Sequence, residues 1–281
     1  MTRLVRGASI GRDEAAWDPV RGLAEPSRLD GTDAVVHLAG ANIAAGRWTP
    51  TRKAEIRQSR VEGTRSLCDA LARLAHPPRV LVSASAVGYY GDRGAETLTE
   101  DSPGGTGFLA DVCRAWEAAT DPASQAGIRV VNLRFGMILT PAGGALAKML
   151  LPFKLGAGGR IGGGEQFMSW IALDDAIGAI HHALGQESVR GPVNAVAPAP
   201  VSNTDFTCTL ARVLRRPALF PLPAFAARLL FGEMADALLL GGARVVPARL
   251  QAAGYGFRFP ELEGALRHLL GQPAQHQGGA R

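Results

Sequence analysis

The stretch "SASAVGYYGD" (residues 83–92) gathers two hydroxyls, Ser83 and Ser85, and two phenols, Tyr89 and Tyr90. Each donates and accepts hydrogen bonds, and a phenol beside a hydroxyl is a group that can pass a proton to or from a substrate oxygen. Ser85 is the candidate catalytic hydroxyl, aimed at a substrate carbonyl, and Tyr89 the candidate proton donor. Tyr90 is assigned to substrate contact. The bland alternative is a pair of small residues packing under a ligand, with phenols that fill a core or a lid. A lysine one helical turn beyond a tyrosine would lower the phenol's pKa and make it a better acid. The three tyrosines are Tyr89, Tyr90 and Tyr255, and none has a lysine at that spacing. Any proton transfer here runs without that pair.

Other side chains suit binding. Arg47 beside Trp48 places a guanidinium next to an indole, an arrangement that holds an acidic substrate. Trp170, in "SWIALDD", is the other candidate substrate contact, while Asp174 there reads as a helix cap. Most of the basic stretch from Arg47 to Arg65, with Glu55 and Glu62 interleaved, reads as a solvated helix face. Cys68, Cys113 and Cys208 are far apart with no CxxC or paired-histidine spacing, so they read as buried small residues and no metal site is expected.

These residues need elements to position them. "DAVVHLAG" (33–40) is an apolar run ending in glycine and reads as a buried parallel strand. Residues 49–75 read as a helix, with Thr49 as N-cap and Pro50 at the first position. Residues 79–92 form a second strand running into a small-residue turn, 108–120 a helix and 128–139 a third strand. Such alternation predicts an α/β fold, a doubly wound parallel sheet with helices on both faces. A glycine-rich loop (156–164) follows, then helices starting near Asp174 and Asn203, and a mostly helical region from Pro221 to Leu270. The boundaries drawn are 1–140 with 168–197 for the sheet domain, 141–167 and 198–270 for a smaller domain, and 271–281 for a disordered tail.

Composition narrows the function classes. With 47% apolar and 20% charged residues the chain reads as a globular protein. It contains no run of about 18 apolar residues and no signal-peptide layout, which places it in the cytoplasm. The net charge is +5, yet the basic residues are scattered along the chain. Neither a nucleic-acid nor a membrane partner is expected, and a small molecule is the expected substrate.

Taken together, "DAVVHLAGANIAAGRWTPTRKAEIRQSRVEGTR", "SASAVGYYGD", "LRFGMILTPAGGAL", "MSWIALDD" and "RVVPARLQAAGYGFRFPELEGALRHLL" resemble the atypical extended short-chain dehydrogenases known as epimerase-family proteins. The resemblance covers nearly the whole chain. It implies a Rossmann-like domain with a small C-terminal domain, and NAD(P)-dependent oxidoreductase or epimerase-like chemistry. The alternative is a non-catalytic NADP(H)-binding sensor or partner-binding module. Along the sheet edge the resemblance puts Arg6, Leu38, Ala39, Gly40, Ser83, Arg134 and Gly136 at the cofactor, and lets Ser85 face the nicotinamide. Two departures stand out. Leu109 and Cys113 occupy the places of the family's Tyr and Lys, and Ala172 replaces its usual histidine.

In that family a strand, a GxxGxxG turn and a helix precede the stretch resembling "TRLVR". "RLVRGASIG" therefore reads as the end of the second strand. After it, "RDEAAWDP" reaches proline too soon for a helix facing phosphates. The reading expects a missing first βα unit of roughly 25–30 residues encoded upstream, and poor NADP(H) binding by the chain as it stands. NADP is expected over NAD, although NAD remains possible. Arg6 ends the second strand, where a guanidinium meets a 2′-phosphate, and no carboxylate occurs before Asp13.

Overall fold

The computed structural model describes residues 1–6, 11, 13–18, 22–23 and 25–273. The heart of the first glycine-rich stretch (7–10) and the tail from 274 onward lie outside the described residues. From the N-terminus, β1 (Arg3–Val5) runs parallel to β2 (Glu14–Asp18), which turns back against β3 (Gly22–Leu23). Next come β4 (Ala34–His37), α1 (Pro50–Ala72) and β5 (Val80–Ala86). The short β6 (Thr97–Leu98) precedes α2 (Phe108–Ala118), α3 (Asp121–Gln125) and β7 (Arg129–Phe135). After these follow β8 (Met137–Leu139), α4 (Gly144–Lys154), β9 (Phe167–Met168) and β10 (Trp170–Ala172). Then come α5 (Leu173–Gly185), β11 (Gly191–Ala195), β12 (Val201–Ser202) and α6 (Asn203–Leu214). The C-terminal part holds α7 (Ala224–Phe231), α8 (Glu233–Ala235), β13 (Arg244–Val245), α9 (Ala248–Ala252) and α10 (Leu262–Leu269).

Two compact units result. Residues 1–91, 103–134 and 180–193 form the first, and 92–102, 135–179 and 194–281 the second. The expected boundaries kept 92–102, 135–140, 168–179 and 194–197 with the sheet domain, and all four stretches fall in the second unit. In the structure β10 forms a parallel ladder with β8, Trp170 opposite Met137, and both belong to the second unit.

The first unit is built on a sheet of order β11-β7-β5-β4, with β4 and β5 parallel and His37 opposite Ser83. Both faces of β5 and β7 are buried, and their apolar runs are what a covered parallel strand requires. Helix α1 starts as its sequence dictates. Thr49 accepts a hydrogen bond from the Arg52 amide (3.2 Å), and Pro50 occupies the first turn, where its missing N–H is not needed. Its buried residues Leu67, Cys68 and Leu71 pack with Leu29, Val35, Leu81 and Ile128 into one core.

The third expected strand, 128–139, is broken at Gly136. A β-carbon there would stand 2.4 Å from the Ser169 carbonyl oxygen, so only glycine lets the two backbones pass. The second unit closes over Leu139, Leu146, Phe153, Trp170, Phe206 and Leu266. Ser202, one residue before the expected Asn203, caps α6 by accepting from the Asp205 amide (3.0 Å). Asp174 lies inside the first turn of α5 rather than at its cap, and Cys208 is exposed, unlike buried Cys68 and Cys113.

Asp175 ties the C-terminal segment down. Its fully buried carboxylate accepts from the Arg258 amide (2.8 Å), the Phe259 amide (2.9 Å) and the Tyr255 hydroxyl (3.2 Å). Burial, and then the Asp175 charge, raise the Tyr255 pKa above its ordinary value, so this phenol stays protonated and donates. Asp175→Ala removes the acceptor of two part-buried amides and is expected to destabilise the protein by about 2–4 kcal/mol. Chemical denaturation read by far-ultraviolet circular dichroism checks this, and a loss under about 0.5 kcal/mol, the usual scatter of surface substitutions, contradicts it.

Candidate functional site

Strand β5 delivers Ser85 at its carboxyl end and runs directly into a single helical turn, Val87–Tyr90, that presents both phenols. Gly91, at φ 66°, reverses the chain after Tyr90. The 104–105 segment lies against this turn: the Gly105 amide donates to the Tyr89 carbonyl (3.0 Å), and a β-carbon at Gly105 would collide with the Tyr90 oxygen at 2.0 Å. Helix α2 packs alongside. Its Leu109 and Cys113 come closest to Gly88, where a β-carbon would meet them at 3.3 and 3.7 Å. The places of the family's Tyr and Lys thus look onto the turn that carries Tyr89.

Glu117, one turn beyond Cys113, organises the site. Ser85 Oγ donates to Glu117 Oε1 (2.7 Å), and Arg134 from β7 grips both carboxylate oxygens, Nε to Oε1 and an η-nitrogen to Oε2, each at 2.8 Å. The remaining η-nitrogen of Arg134 donates to the Tyr90 hydroxyl (2.9 Å). The side chains of Arg134 and Glu117 are only 3% and 13% exposed, so the pair is shielded from water and the fork geometry counts. Burial by itself lowers the Arg134 pKa. Its hydrogen bonds and charge pairing with Glu117, then Tyr90, more than offset this and raise it. The guanidinium carbon also sits 3.5 Å from the centre of the Tyr89 ring, and the two phenol rings meet edge to face. Tyr89 is half-buried and Tyr90 fully buried, so Tyr89 is the phenol open to a ligand. Cys113, pushed up to about 12 chiefly by burial, is a neutral thiol beside this cluster.

A second group lies at the ends of β1 and β4. Arg6 is exposed with its guanidinium carbon 5.7 Å from the Trp17 ring centre, and Trp17 meets the His37 ring edge-on at 5.8 Å. His37 is buried, its Nε2 3.0 Å from Thr64 Oγ1, which accepts from the Trp116 indole (2.9 Å). Burial pushes His37 down to about 4. Leu38 follows, exposed, then half-buried Ala39 and exposed Gly40. A β-carbon on Gly40 would meet the Arg60 guanidinium at 3.2 Å, so that glycine makes room for protein. Arg60 itself lies over the Trp116 ring and donates to the Ala41 carbonyl.

Several sequence assignments change. Arg134, expected at the cofactor, is buried and engaged by Glu117 and Tyr90, so it braces the site from below. Tyr90 and Ser83 are fully buried, which removes Tyr90 from substrate contact and Ser83 from the cofactor surface. Gly136 is small because Ser169 and Val196 crowd it. Trp170, expected at the substrate, is a core residue whose indole donates to the Ala199 carbonyl (3.0 Å). Trp48 is buried on Phe108 with its N–H on the Ile43 carbonyl, while Arg47 is exposed. Sequence reasoning passed over Glu117 as a site residue. The available signal was a lone carboxylate four residues after Cys113, on the face of α2 that otherwise carries buried Ala110, Cys113 and Trp116.

A parallel sheet with polar side chains converging at the carboxyl ends of its strands defines a Rossmann-like α/β protein. Residues 23–195 match the NAD dependent epimerase/dehydratase family, and the chain belongs to that family. Residues 222–269 match a domain of unknown function, DUF1731. An epimerase family protein of Mycobacterium bovis is 43% identical over 96% of this chain and 89% of its own length. The human epimerase family protein SDR39U1 is 39% identical over 92% of this chain and 88% of its own. A crystal structure of the human protein (isoform 2) with NADPH superposes with a TM-score of 0.86 at 37% identity, covering 95% of this chain and 90% of that one. A nucleoside-diphosphate sugar epimerase from Corynebacterium glutamicum gives 0.75 at 38% identity, covering 94% of this chain and 51% of that one.

Two stability measurements probe the site. Arg134→Met strands a shielded carboxylate and is expected to cost about 3–5 kcal/mol, whereas Glu117→Leu combined with Arg134→Met costs much less than the two single changes summed. Strict additivity in the double-mutant cycle contradicts coupling through the pair. For His37, the folded-state pKa of about 4 lies below the ordinary histidine value of 6.5, so the unfolded chain binds the proton first. Its contribution is complete above pH 6.5 and is lost as pH falls towards about 4, up to about 3 kcal/mol. His37→Gln is expected to flatten that part of the stability profile, and an unchanged slope overturns the assignment.

Proposed function

We propose that the protein is an NADP(H)-dependent oxidoreductase of the epimerase family, acting on a small molecule through an alcohol or carbonyl group. The observation that carries this reading is the buried Ser85–Glu117–Arg134 chain beneath half-exposed Tyr89 at the ends of β5 and β7. The adenosine end fits the phosphorylated cofactor: Arg6 presents an exposed guanidinium at the end of β1, steadied over Trp17, and exposed Leu38 continues the strand that carries His37. The human relative crystallised with NADPH supports the same choice. When bound, a nicotinamide cofactor supplies or accepts the hydride.

The protein's own residues then handle the oxygen and its proton. The Tyr89 hydroxyl gives a proton to the substrate oxygen, or takes it in the reverse direction. Arg134 under the ring holds that phenol in place and fixes the Glu117 carboxylate through both of its oxygens. Ser85, 3% exposed with its proton committed to Glu117, positions that carboxylate beneath Tyr89 rather than meeting the substrate as the sequence led one to expect. Exposed Arg47 supplies positive charge for an acidic substrate.

Calorimetric titration tests the cofactor half. Arg6→Ala is expected to weaken NADPH binding by about 1–3 kcal/mol and to leave NADH almost unchanged, because NADH lacks the phosphate. Equal losses for both refute the role of Arg6, and tight NADPH binding by the unaltered chain corrects the expectation that it holds cofactor poorly. For the chemistry, Tyr89→Phe is expected to lower turnover on reactive carbonyl substrates by about 10²-fold or more with NADPH affinity retained. NADPH binding without any turnover in the unaltered protein would favour a sensor, a reading supported by the absence of a lysine beside any tyrosine.

A further inference from the structure

Segments 144–164 and 206–232 of the second unit contain no carboxylate and seven cations, Lys148, Lys154 and Arg160 in the first and Arg212, Arg215, Arg216 and Arg228 in the second. Folding joins them edge to edge. Ala157 bridges to Ala218 and Ile161 to Leu222, with the Phe220 amide on the Gly158 carbonyl (3.2 Å) and the Leu222 amide on the Arg160 carbonyl (2.8 Å). Around this seam Leu151, Leu155, Leu219, Phe220, Phe225 and Leu229 are each at least 65% exposed. Arg212 and Arg228 reach carboxylates outside the two segments, Glu263 and Asp236. Lys154, Arg160, Arg215 and Arg216 face solvent.

We propose that this face docks on an anionic lipid surface. Scattered single apolar residues are ordinary on a protein, but large ones clustered along one seam mark an interaction site. Charge decides what covers it. A second copy of the chain would set these cations against their own kind, which opposes association through this face. Leucine and phenylalanine beside lysine and arginine, with no acid inside either segment, meet both demands of a charged bilayer surface. Apolar groups enter the boundary of the acyl chains while the cations face phosphate headgroups. No described helix is long and apolar enough to cross a membrane, so the contact is peripheral. In the sequence the basic residues look evenly scattered. The collection appears only when two segments some distance apart are brought together.

The test is co-sedimentation of the purified protein with phosphatidylcholine vesicles, with and without phosphatidylglycerol. Binding is expected to be at least about tenfold stronger with the anionic lipid and to weaken as salt is raised. The substitutions L219E, F225E and L229E combined, and separately K154S, R215S and R216S combined, are each expected to remove most of it. All six positions are exposed, and unchanged melting curves show that the variants remain folded. Equal binding to both vesicle types, no binding, or variants that bind like the unaltered chain would each overturn the proposal. So would concentration-dependent dimerisation abolished by the leucine and phenylalanine substitutions, which assigns the face to a second copy. Binding to soluble polyglutamate without binding to vesicles assigns it to an acidic protein and overturns it equally.

Discussion

The bidentate pairing of Arg134 with Glu117 brings three separate pieces of the first unit to one point. It joins a strand, a helix and the turn after another strand, and every polar atom near it takes its orientation from that contact. In a shielded position neither charge is tolerable alone, so the geometry is all-or-none. Ser85 points its proton at a Glu117 oxygen, and Tyr89 places its ring face over the guanidinium, which the cation attracts. The site is positioned by its own electrostatics as much as by the fold around it.

Close backbone passage is the second constraint. Gly105 lets its loop lie on the tyrosine turn, and Gly136 lets β7 end where another strand crosses. At both places a single methyl group would displace main chain. Gly136, expected at the cofactor, is thus explained by the protein meeting itself, whereas Gly40 meets only the movable end of Arg60.

Regular elements were legible because their causes are local. Thr49 and Pro50 announce the start of α1, and unbroken apolar runs announce β5 and β7. Ser85 and Tyr89 were legible as polar groups following such a run. The role of Arg134 was not, since an arginine inside a strand reads equally well as a ligand contact or a braced core charge until its partner is known. Glu117 lies 32 positions after Ser85 and 17 before Arg134, and pairing across such distances leaves no periodic trace. Trp170 misled for a related reason: an aromatic next to two aspartates resembles a site, yet its burial is set by α4 and α6 packing from elsewhere in the chain.

The sheet of the first unit has a further consequence at its β4 border. Among the described residues β4 pairs with a strand on one side only, and Val36 on it is exposed, as is Leu38 just beyond. A strand paired on one side among the described residues and carrying exposed aliphatic side chains, with no lysine or proline within Ala34–His37, has the character of an edge to which a further strand adds.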